Sequence, residues 1–312
     1  MKFNKPDFWQ YKKTNLISKL LIPFTLPIRI NNFLINKKKI KKNENIKSIC
    51  VGNIYVGGTG KTPLTIELYK ILKSLRYKVS VIKKYYRDQK DEQKILKKKT
   101  NLILCNSRQD GVNQAVKLNN EVVIFDDGLQ DRNVDYNLKI VCFNSKMWIG
   151  NNALIPSGPL REKLSSLTKY DVVFLNGSES DSDKHCKLIY KINPKILIFN
   201  SYYRIKNLRY FKKKVKYLIF SSIGNPNSFK EILLKKKFNV VKQIIFPDHY
   251  LYSDDDIKKI KLDAKKLNAK IITTEKDFVK LSTKNNKNIF SLEIDLVIKK
   301  KNKLINLIKS KI

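Results

Sequence analysis

Four of the ten glycines in the chain fall between Gly52 and Gly60, and the last of them runs into a lysine and a threonine. The run Gly57-Gly58-Thr59-Gly60-Lys61-Thr62 suits one kind of chemistry. Backbone N–H groups can crowd around phosphate oxygens only where no side chain blocks them, and clustered glycines provide that. Lys61 then reaches the β- and γ-phosphates of a nucleotide, and the Thr62 hydroxyl is a ligand for Mg²⁺. Further along, residues 121–128 form an apolar run that ends in two carboxylates, Asp126 and Asp127, followed by Gly128. Each motif alone has a plainer reading: a structural glycine turn, and a helix cap or turn built on the aspartates. Together they describe a site for a nucleotide and its metal ion.

These residues need a frame that brings them to one place. Residues 48–54 read as a strand and the stretch through Leu64, Ile66, Leu68 and Leu72 as a helix, so the glycines sit in a strand-to-helix turn. In a parallel sheet, ligands bind beyond the carboxyl ends of the strands, which places Asp126 and Asp127 beside that turn. Strand-like runs at 48–54, 78–82, 101–105, 122–125, 138–143 and 171–175 alternate with helical stretches, the signature of a parallel sheet covered on both faces. The alternation resumes at 216–222, 240–246, 270–274 and 289–294, with Ser253 and three following aspartates as a helix start. The expected fold is α/β: a P-loop NTPase-like parallel sheet domain with a second, smaller α/β domain. A GTP-binding switch protein would carry Asp-x-x-Gly and Asn-Lys-x-Asp. Phe125 stands three residues before Gly128, and Thr274-Glu275-Lys276-Asp277 has the wrong spacing, so ATP or another nucleotide is expected rather than GTP.

Composition excludes other classes. The 312 residues carry a formal net charge of +38, yet 42% of them are hydrophobic, which is too many for a disordered chain. Only 8 of the 65 basic residues are arginine. The charge is therefore either a solvated lysine coat or a basic surface for nucleic acid, anionic lipid or a phosphorylated substrate. Cys50, Cys105, Cys142 and Cys186 are widely spaced without a Cys-x-x-Cys pair, so buried free thiols in a reducing compartment are expected. Near the amino terminus, Pro23, Pro27 and several lysines break the apolar stretch, which fits neither a membrane-spanning helix nor a cleaved signal. Ile17, Leu20, Leu21 and Phe24 follow helical spacing, with Trp9 and Tyr11 before them and Lys37, Lys38, Lys39, Lys41 and Lys42 after them. That stripe either lies on an anionic membrane surface or packs on the domain core.

In several places the chain resembles the tetraacyldisaccharide 4'-kinase family, the lipid A 4'-kinases of Gram-negative bacteria. Val51-Gly52-Asn53-Ile54 leading into the glycine run and Pro63 is similar to that family's loop, which lacks the first glycine of the common P-loop pattern, the position held here by Tyr55. Asp126-Asp127-Gly128-Leu129-Gln130, Pro156-Ser157-Gly158-Pro159-Leu160-Arg161-Glu162, Phe246-Pro247-Asp248-His249-Tyr250 and Thr273-Thr274-Glu275-Lys276-Asp277 match further family strings in family order. The resemblance implies ATP- and Mg²⁺-dependent phosphorylation of the 4'-hydroxyl of tetraacyldisaccharide 1-phosphate to lipid IVA. The partners it implies are that anionic acylated substrate and, peripherally, the cytoplasmic face of the inner membrane, with no nucleic acid. It also implies an Asp-His pair near the acceptor, His249 with Asp91. Arg161 becomes a candidate for binding phosphate or stabilising transition-state charge and Arg108 a weaker one, each with a salt bridge as the plainer reading. The family's Ser-Arg-Gly-Tyr-Gly is replaced by Lys83-Lys84-Tyr85-Tyr86-Arg87, and Asp131 stands where the family motif ends in histidine.

The expected organisation is a membrane-contacting segment over 1–45, the nucleotide-binding kinase domain over 46–205, a linker over 206–215 and the smaller domain over 216–312, contributing to a substrate cleft. Asp91 falls in the first of these domains and His249 in the second. Two rival readings are a nucleotide-dependent nucleic-acid-binding protein, motivated by the charge, and a non-catalytic membrane-bound homologue, motivated by the altered segment at 83–93.

Overall fold

The computed structural model describes residues 6–37, 46–131, 133–177 and 182–312. After the short helix α1 (Leu16–Leu20) and α2 (Leu26–Lys37) come β1 (Lys47–Gly52), α3 (Lys61–Ser74), β2 (Val79–Lys84), α4 (Lys90–Lys99), β3 (Leu102–Cys105), α5 (Arg108–Lys117), β4 (Val122–Asp126), β5 (Leu138–Asn144), β6 (Val172–Asn176), α6 (Ser182–Ile192) and β7 (Leu197–Ile205). There follow β8 (Lys216–Ser221), α7 (Pro226–Lys235), β9 (Asn239–Ile245), α8 (Asp254–Lys266), β10 (Lys270–Thr274), α9 (Glu275–Phe278), β11 (Ile289–Leu292), β12 (Ile294–Ile298) and α10 (Lys301–Lys311).

The strands form two sheets, ordered β12-β7-β6-β5-β1-β4-β2-β3 and β11-β10-β8-β9. In the first, β1 pairs in parallel with both β4 and β5, so the chain reverses its direction of travel across the sheet at β1. That is where an open parallel sheet leaves a crevice for a ligand. Strands such as Val122–Asp126 are buried at every residue because helices cover both faces, which is why they read as unbroken apolar runs. In the second sheet β8 is flanked by β9 and β10, again parallel, and it is the switch point there. Alternate residues of β8 serve opposite faces. Tyr217 and Ile219 pack with Phe229 and Leu233 of α7, while Leu218 and Phe220 pack with Ile257, Ile260 and Ala264 of α8. Ser253 and Asp256 close a capping box at the start of α8.

The chain divides into two units: 5–85 with 99–202 and 296–312, and 86–98 with 203–295. This departs from the contiguous division expected from the sequence in three ways. Helix α4, with Asp91, groups with the smaller unit because Asp91 and Glu92 bond to His249 and Lys276. The carboxyl-terminal helix α10 groups with the larger one, where Lys301 pairs with Glu67 at 2.8 Å. Residues 206–215, expected as the linker, group with the smaller unit, where the Phe211 ring packs against Tyr217 and Phe238.

The amino-terminal stripe has the expected period but mostly faces outward; of this segment's apolar residues, the half-buried Ile28 packs against the core. Ser18 and Thr25 are buried, whereas Leu16, Ile17, Leu20, Phe24, Leu26, Ile30 and Phe33 are exposed. Short polar side chains make the docking contacts. Ser18 Oγ donates to the Ser157 carbonyl at 2.5 Å, and Ser157 Oγ donates to the Ser18 carbonyl at 2.7 Å. Trp9 Nε1 donates to the Pro156 carbonyl, and Asn32 Nδ2 to the Arg161 carbonyl. Lys38, Lys39, Lys41 and Lys42 lie outside the described residues. Among the described residues no helix is long and apolar enough to cross a membrane. All four cysteines are free, Cys50, Cys105 and Cys142 buried and Cys186 half-buried.

Candidate active site

In the larger unit, the turn after β1 carries Gly57, Gly58, Thr59 and Gly60 to the first turn of α3. Gly60 precedes the helix at φ +89°, a left-handed conformation that a side chain would strain. Gly52, at the end of β1, lies so close to Leu129 that a Cβ there would sit 2.6 Å from Leu129 Cγ. Tyr55 needs no glycine conformation, because its backbone is extended in an antiparallel bridge with Leu160. Its buried hydroxyl accepts from the Asn144 N–H at 2.8 Å. The backbone N–H of Arg161 donates to the Ile54 carbonyl at 2.7 Å, so the 156–162 segment is laced along the phosphate loop.

The carboxylates at the end of β4 have different surroundings. Asp126 is buried and accepts from Thr62 Oγ1 at 3.3 Å, Thr65 Oγ1 at 3.1 Å and Lys83 Nζ at 2.8 Å. Asp127, held at φ +64°, faces Lys61 Nζ at 3.7 Å and Arg161 Nη1 at 3.4 Å. Arg161 also contacts Gln130 Oε1, while Gln130 Nε2 donates to Glu162 at 2.7 Å and to the Asn53 carbonyl at 2.9 Å. Glu162 receives the Tyr170 hydroxyl at 2.9 Å, and burial together with Glu162 drives that phenol well above its ordinary range. Arg108 takes a structural role here: Nη1 donates to Asp131 at 2.7 Å and Nη2 to the Asp127 carbonyl. Burial disfavours its charge, but Asp131 outweighs this and the guanidinium stays firmly protonated.

The residues present fit ATP and Mg²⁺. The left-handed glycine and the helix start offer backbone N–H groups to phosphate, and Thr62 with Asp126 supplies adjacent hard oxygen donors. Among the described residues no group of three or more His, Cys, Asp or Glu side chains is placed to hold a metal. A cation held by Thr62 and Asp126 would draw its remaining ligands from nucleotide and water, as Mg²⁺ commonly does.

In the smaller unit a second cluster sits past the carboxyl ends of β8, β9 and β10. His249, at φ +58°, is anchored by its N–H to the Ser222 carbonyl, and its Nδ1 lies 2.9 and 3.0 Å from the two oxygens of Asp91. Asp91 is 3% exposed. Burial pushes its carboxyl up, but the bond from His249 and the charges of Lys276, His249 and Lys280 outweigh that and hold it below the ordinary value of 3.8. Lys276 Nζ is ringed by Glu92 at 3.1 Å, Asp248 at 3.4 Å, His249 Nε2 at 3.4 Å and Asp91 at 3.8 Å. Its burial favours the neutral amine, yet Glu92, Asp248 and Asp91 win and raise its pKa. Behind it, the buried Asp277 accepts from Ser222, Tyr252, Thr274 and Lys280.

Every catalytic, nucleotide and metal residue expected from the sequence thus falls in one of two clusters. Lys61, Thr62, Asp126, Asp127 and Arg161 form the first, and Asp91 with His249 the second. Sequence reasoning missed Lys83, Lys276, Asp277 and Lys280. The Thr273–Asp277 string was visible, but its lysine and aspartate gain a role only once β10 brings them beside His249.

A family model described as tetraacyldisaccharide-1-P 4'-kinase matches residues 16–312. A Pelagibacter ubique protein named tetraacyldisaccharide 4'-kinase is 45% identical over 306 residues, covering 98% of this chain and 97% of its own. One of the same name from Rickettsia typhi is 34% identical over 313 residues, 94% of each chain. Among solved structures, "apo" form LpxK from Aquifex aeolicus in complex with ATP matches with a TM-score of 0.70 at 25% identity, covering 95% of this chain and 99% of that one. With its phosphate loop, paired aspartates and Asp-His pair in place, the chain belongs to the tetraacyldisaccharide-1-P 4'-kinase family.

Proposed function

We propose that this chain transfers the γ-phosphoryl group of ATP to the 4'-hydroxyl of a tetraacyldisaccharide 1-phosphate, making lipid IVA in lipid A biosynthesis. The observation that carries the reading is the buried Asp91 carboxylate held 2.9 Å from His249 Nδ1 in a kinase-family chain that also has a complete Lys61-Thr62 phosphate loop.

Phosphoryl transfer asks the protein mainly for positioning and charge. Thr62 and Asp126, with Asp127 near, would hold Mg²⁺, which would supply charge neutralisation on the phosphates. Lys61 and Arg161, both facing Asp127 here, turn to phosphate oxygens and stabilise the charge that moves to the β-phosphate. Asp91 accepts a hydrogen bond from the His249 Nδ1–H, which leaves Nε2 as the basic atom. Nε2 takes the proton of the sugar hydroxyl as its oxygen bonds to the γ-phosphorus and the bond from that phosphorus to the β–γ bridging oxygen breaks, releasing ADP. The 3.4 Å contact from Lys276 to Nε2 is long for a hydrogen bond, so an incoming hydroxyl can replace it. Asp91, kept ionised by its neighbours, stabilises the imidazolium that forms.

The outward-facing Leu16, Leu20, Phe24 and Phe33 support a peripheral seat on an anionic bilayer, at the cytoplasmic face of the inner membrane, where ATP and the acylated substrate meet. The bond from Asn32 to the Arg161 carbonyl ties this surface to the phosphate loop's neighbouring segment. The reading is tested by incubating purified protein with Mg-ATP and mass-tagged tetraacyldisaccharide 1-phosphate in detergent micelles. Wild type forms the bisphosphorylated lipid and Lys61→Ala does not. Absence of product from wild type, with ATP hydrolysis stimulated by nucleic acid instead, would sink it. For the membrane seat, Leu20→Glu/Phe24→Glu should lose flotation with anionic vesicles while keeping ATP binding; undiminished flotation contradicts it.

A further inference from the structure

Lys83 is a lysine with almost no access to water. Its side chain is 2% exposed and that of Asp126 is 0% exposed, with Nζ and Oδ2 2.8 Å apart. The register of β2 on β4 pairs Ile82 with Phe125, and one residue further it brings Lys83 beside Asp126. Burying an ammonium is costly unless an anion meets it, so this pair is a built feature of the strand ends. It lies where the family pattern, as matched above, has serine.

Asp126 is the carboxylate assigned above to the metal ion, and Lys83 occupies the same oxygen, Oδ2, that Thr62 reaches. A carboxylate offers about four acceptor positions, and Thr62, Thr65 and Lys83 use three of them. A divalent cation seated between Thr62 and Asp126 therefore shares its ligand with a fixed positive charge. We infer that Lys83 is a positioning residue that serves as the built-in counterion of Asp126. It holds the carboxylate in place before nucleotide arrives, and by competing for it weakens the site's hold on a divalent cation, so that the cation comes in with ATP. The inference rests on the reading of Thr62 and Asp126 as cation ligands.

The experiment measures Mn²⁺ binding, by electron paramagnetic resonance of free Mn²⁺, to the full chain first alone and then with a non-hydrolysable ATP analogue, the Mn²⁺ taken up by the analogue itself being subtracted. Wild type is compared with Lys83→Met, which keeps length without charge, and Lys83→Gln, which keeps a donor for Asp126. Both variants should bind Mn²⁺ at least about tenfold more tightly than wild type, because Asp126 is left without its counterion. Mn²⁺ should also raise their thermal midpoints more than that of wild type. Where a variant is insoluble without metal, recovery of folded protein in millimolar Mn²⁺ supports the inference, and no recovery at any Mn²⁺ concentration contradicts it. Equal or weaker binding in the variants overturns the counterion role alone. No Mn²⁺ bound by any of the three proteins overturns the reading of Thr62 and Asp126, and the inference with it.

Discussion

The two clusters solve opposite electrostatic problems at the same place in two sheets, the carboxyl ends of parallel strands. At the β1 switch point, positive groups, glycine backbone and a helix start are gathered for an anion, and the carboxylates among them are matched by Lys83, Lys61 and Arg161. At the β8 switch point, carboxylates surround one imidazole, and Lys276 and Lys280 keep Asp91 ionised beside it. In the proposed mechanism the first arrangement holds a phosphate and stabilises charge, and the second readies a base. The same crevice geometry can thus be given to either half of a transfer reaction, and the side chains past the strand ends decide which half.

Breaking the first cluster should have the largest effect. Lys61→Ala should lower kcat/KM about 10³-fold, as removal of a charge-stabilising donor does, with ATP affinity falling too, both read by steady-state kinetics and calorimetry. Breaking the second should separate binding from chemistry. His249→Ala should lose about 10²-fold in kcat, the usual share of general base catalysis, while calorimetric ATP affinity holds.

The support beneath each cluster is the next target. Asp277→Asn leaves Lys280 with a weaker partner in a buried network and should cost about 3 kcal/mol in chemical denaturation, with the kcat of the folded fraction also reduced. Tyr170→Phe removes the hydroxyl from Glu162 and should cost about 1–2 kcal/mol, with a smaller loss of kcat through Gln130 and Arg161.

The most delicate test is pH. Asp91 titrates below its ordinary value of 3.8, so its contribution to stability is complete above that value and lost as pH falls through the lower, folded one. The stability difference between wild type and Asp91→Asn should not shrink from neutral pH down to about 5 and should shrink below about 4. A difference that already shrinks near neutral pH would mean that Asp91 is not held ionised by its neighbours.

What could be read in the sequence follows what was buried. Strands covered on both faces, such as Val122–Asp126, announce themselves as apolar runs. Strand β7 does not, because Asn200, Ser201 and Arg204 interrupt it. The amino-terminal stripe showed its period but not its direction, since its docking draws on the Ser18 hydroxyl, which bonds the Ser157 carbonyl, while the buried Thr25 hydroxyl bonds within its own turn. The glycine run is local in sequence, so its place in a strand-to-helix turn was legible there. The base cluster is assembled from α4, the turn after β9 and α9, so Asp91 and His249 were found through family strings. Lys276, Asp277 and Lys280 emerge only when the strands align. Helix α4 follows the larger unit's β2 in the chain, and only its contacts reveal where it groups.

The central claim is that one cluster holds the donor and the other activates the acceptor. It is tested most directly by single-turnover rapid quench with excess His249→Ala enzyme, preloaded with Mg-ATP, mixed with tetraacyldisaccharide 1-phosphate. Nucleotide bound as in wild type, with transfer slowed about 10²-fold, is the predicted result. Transfer at the wild-type rate would contradict it.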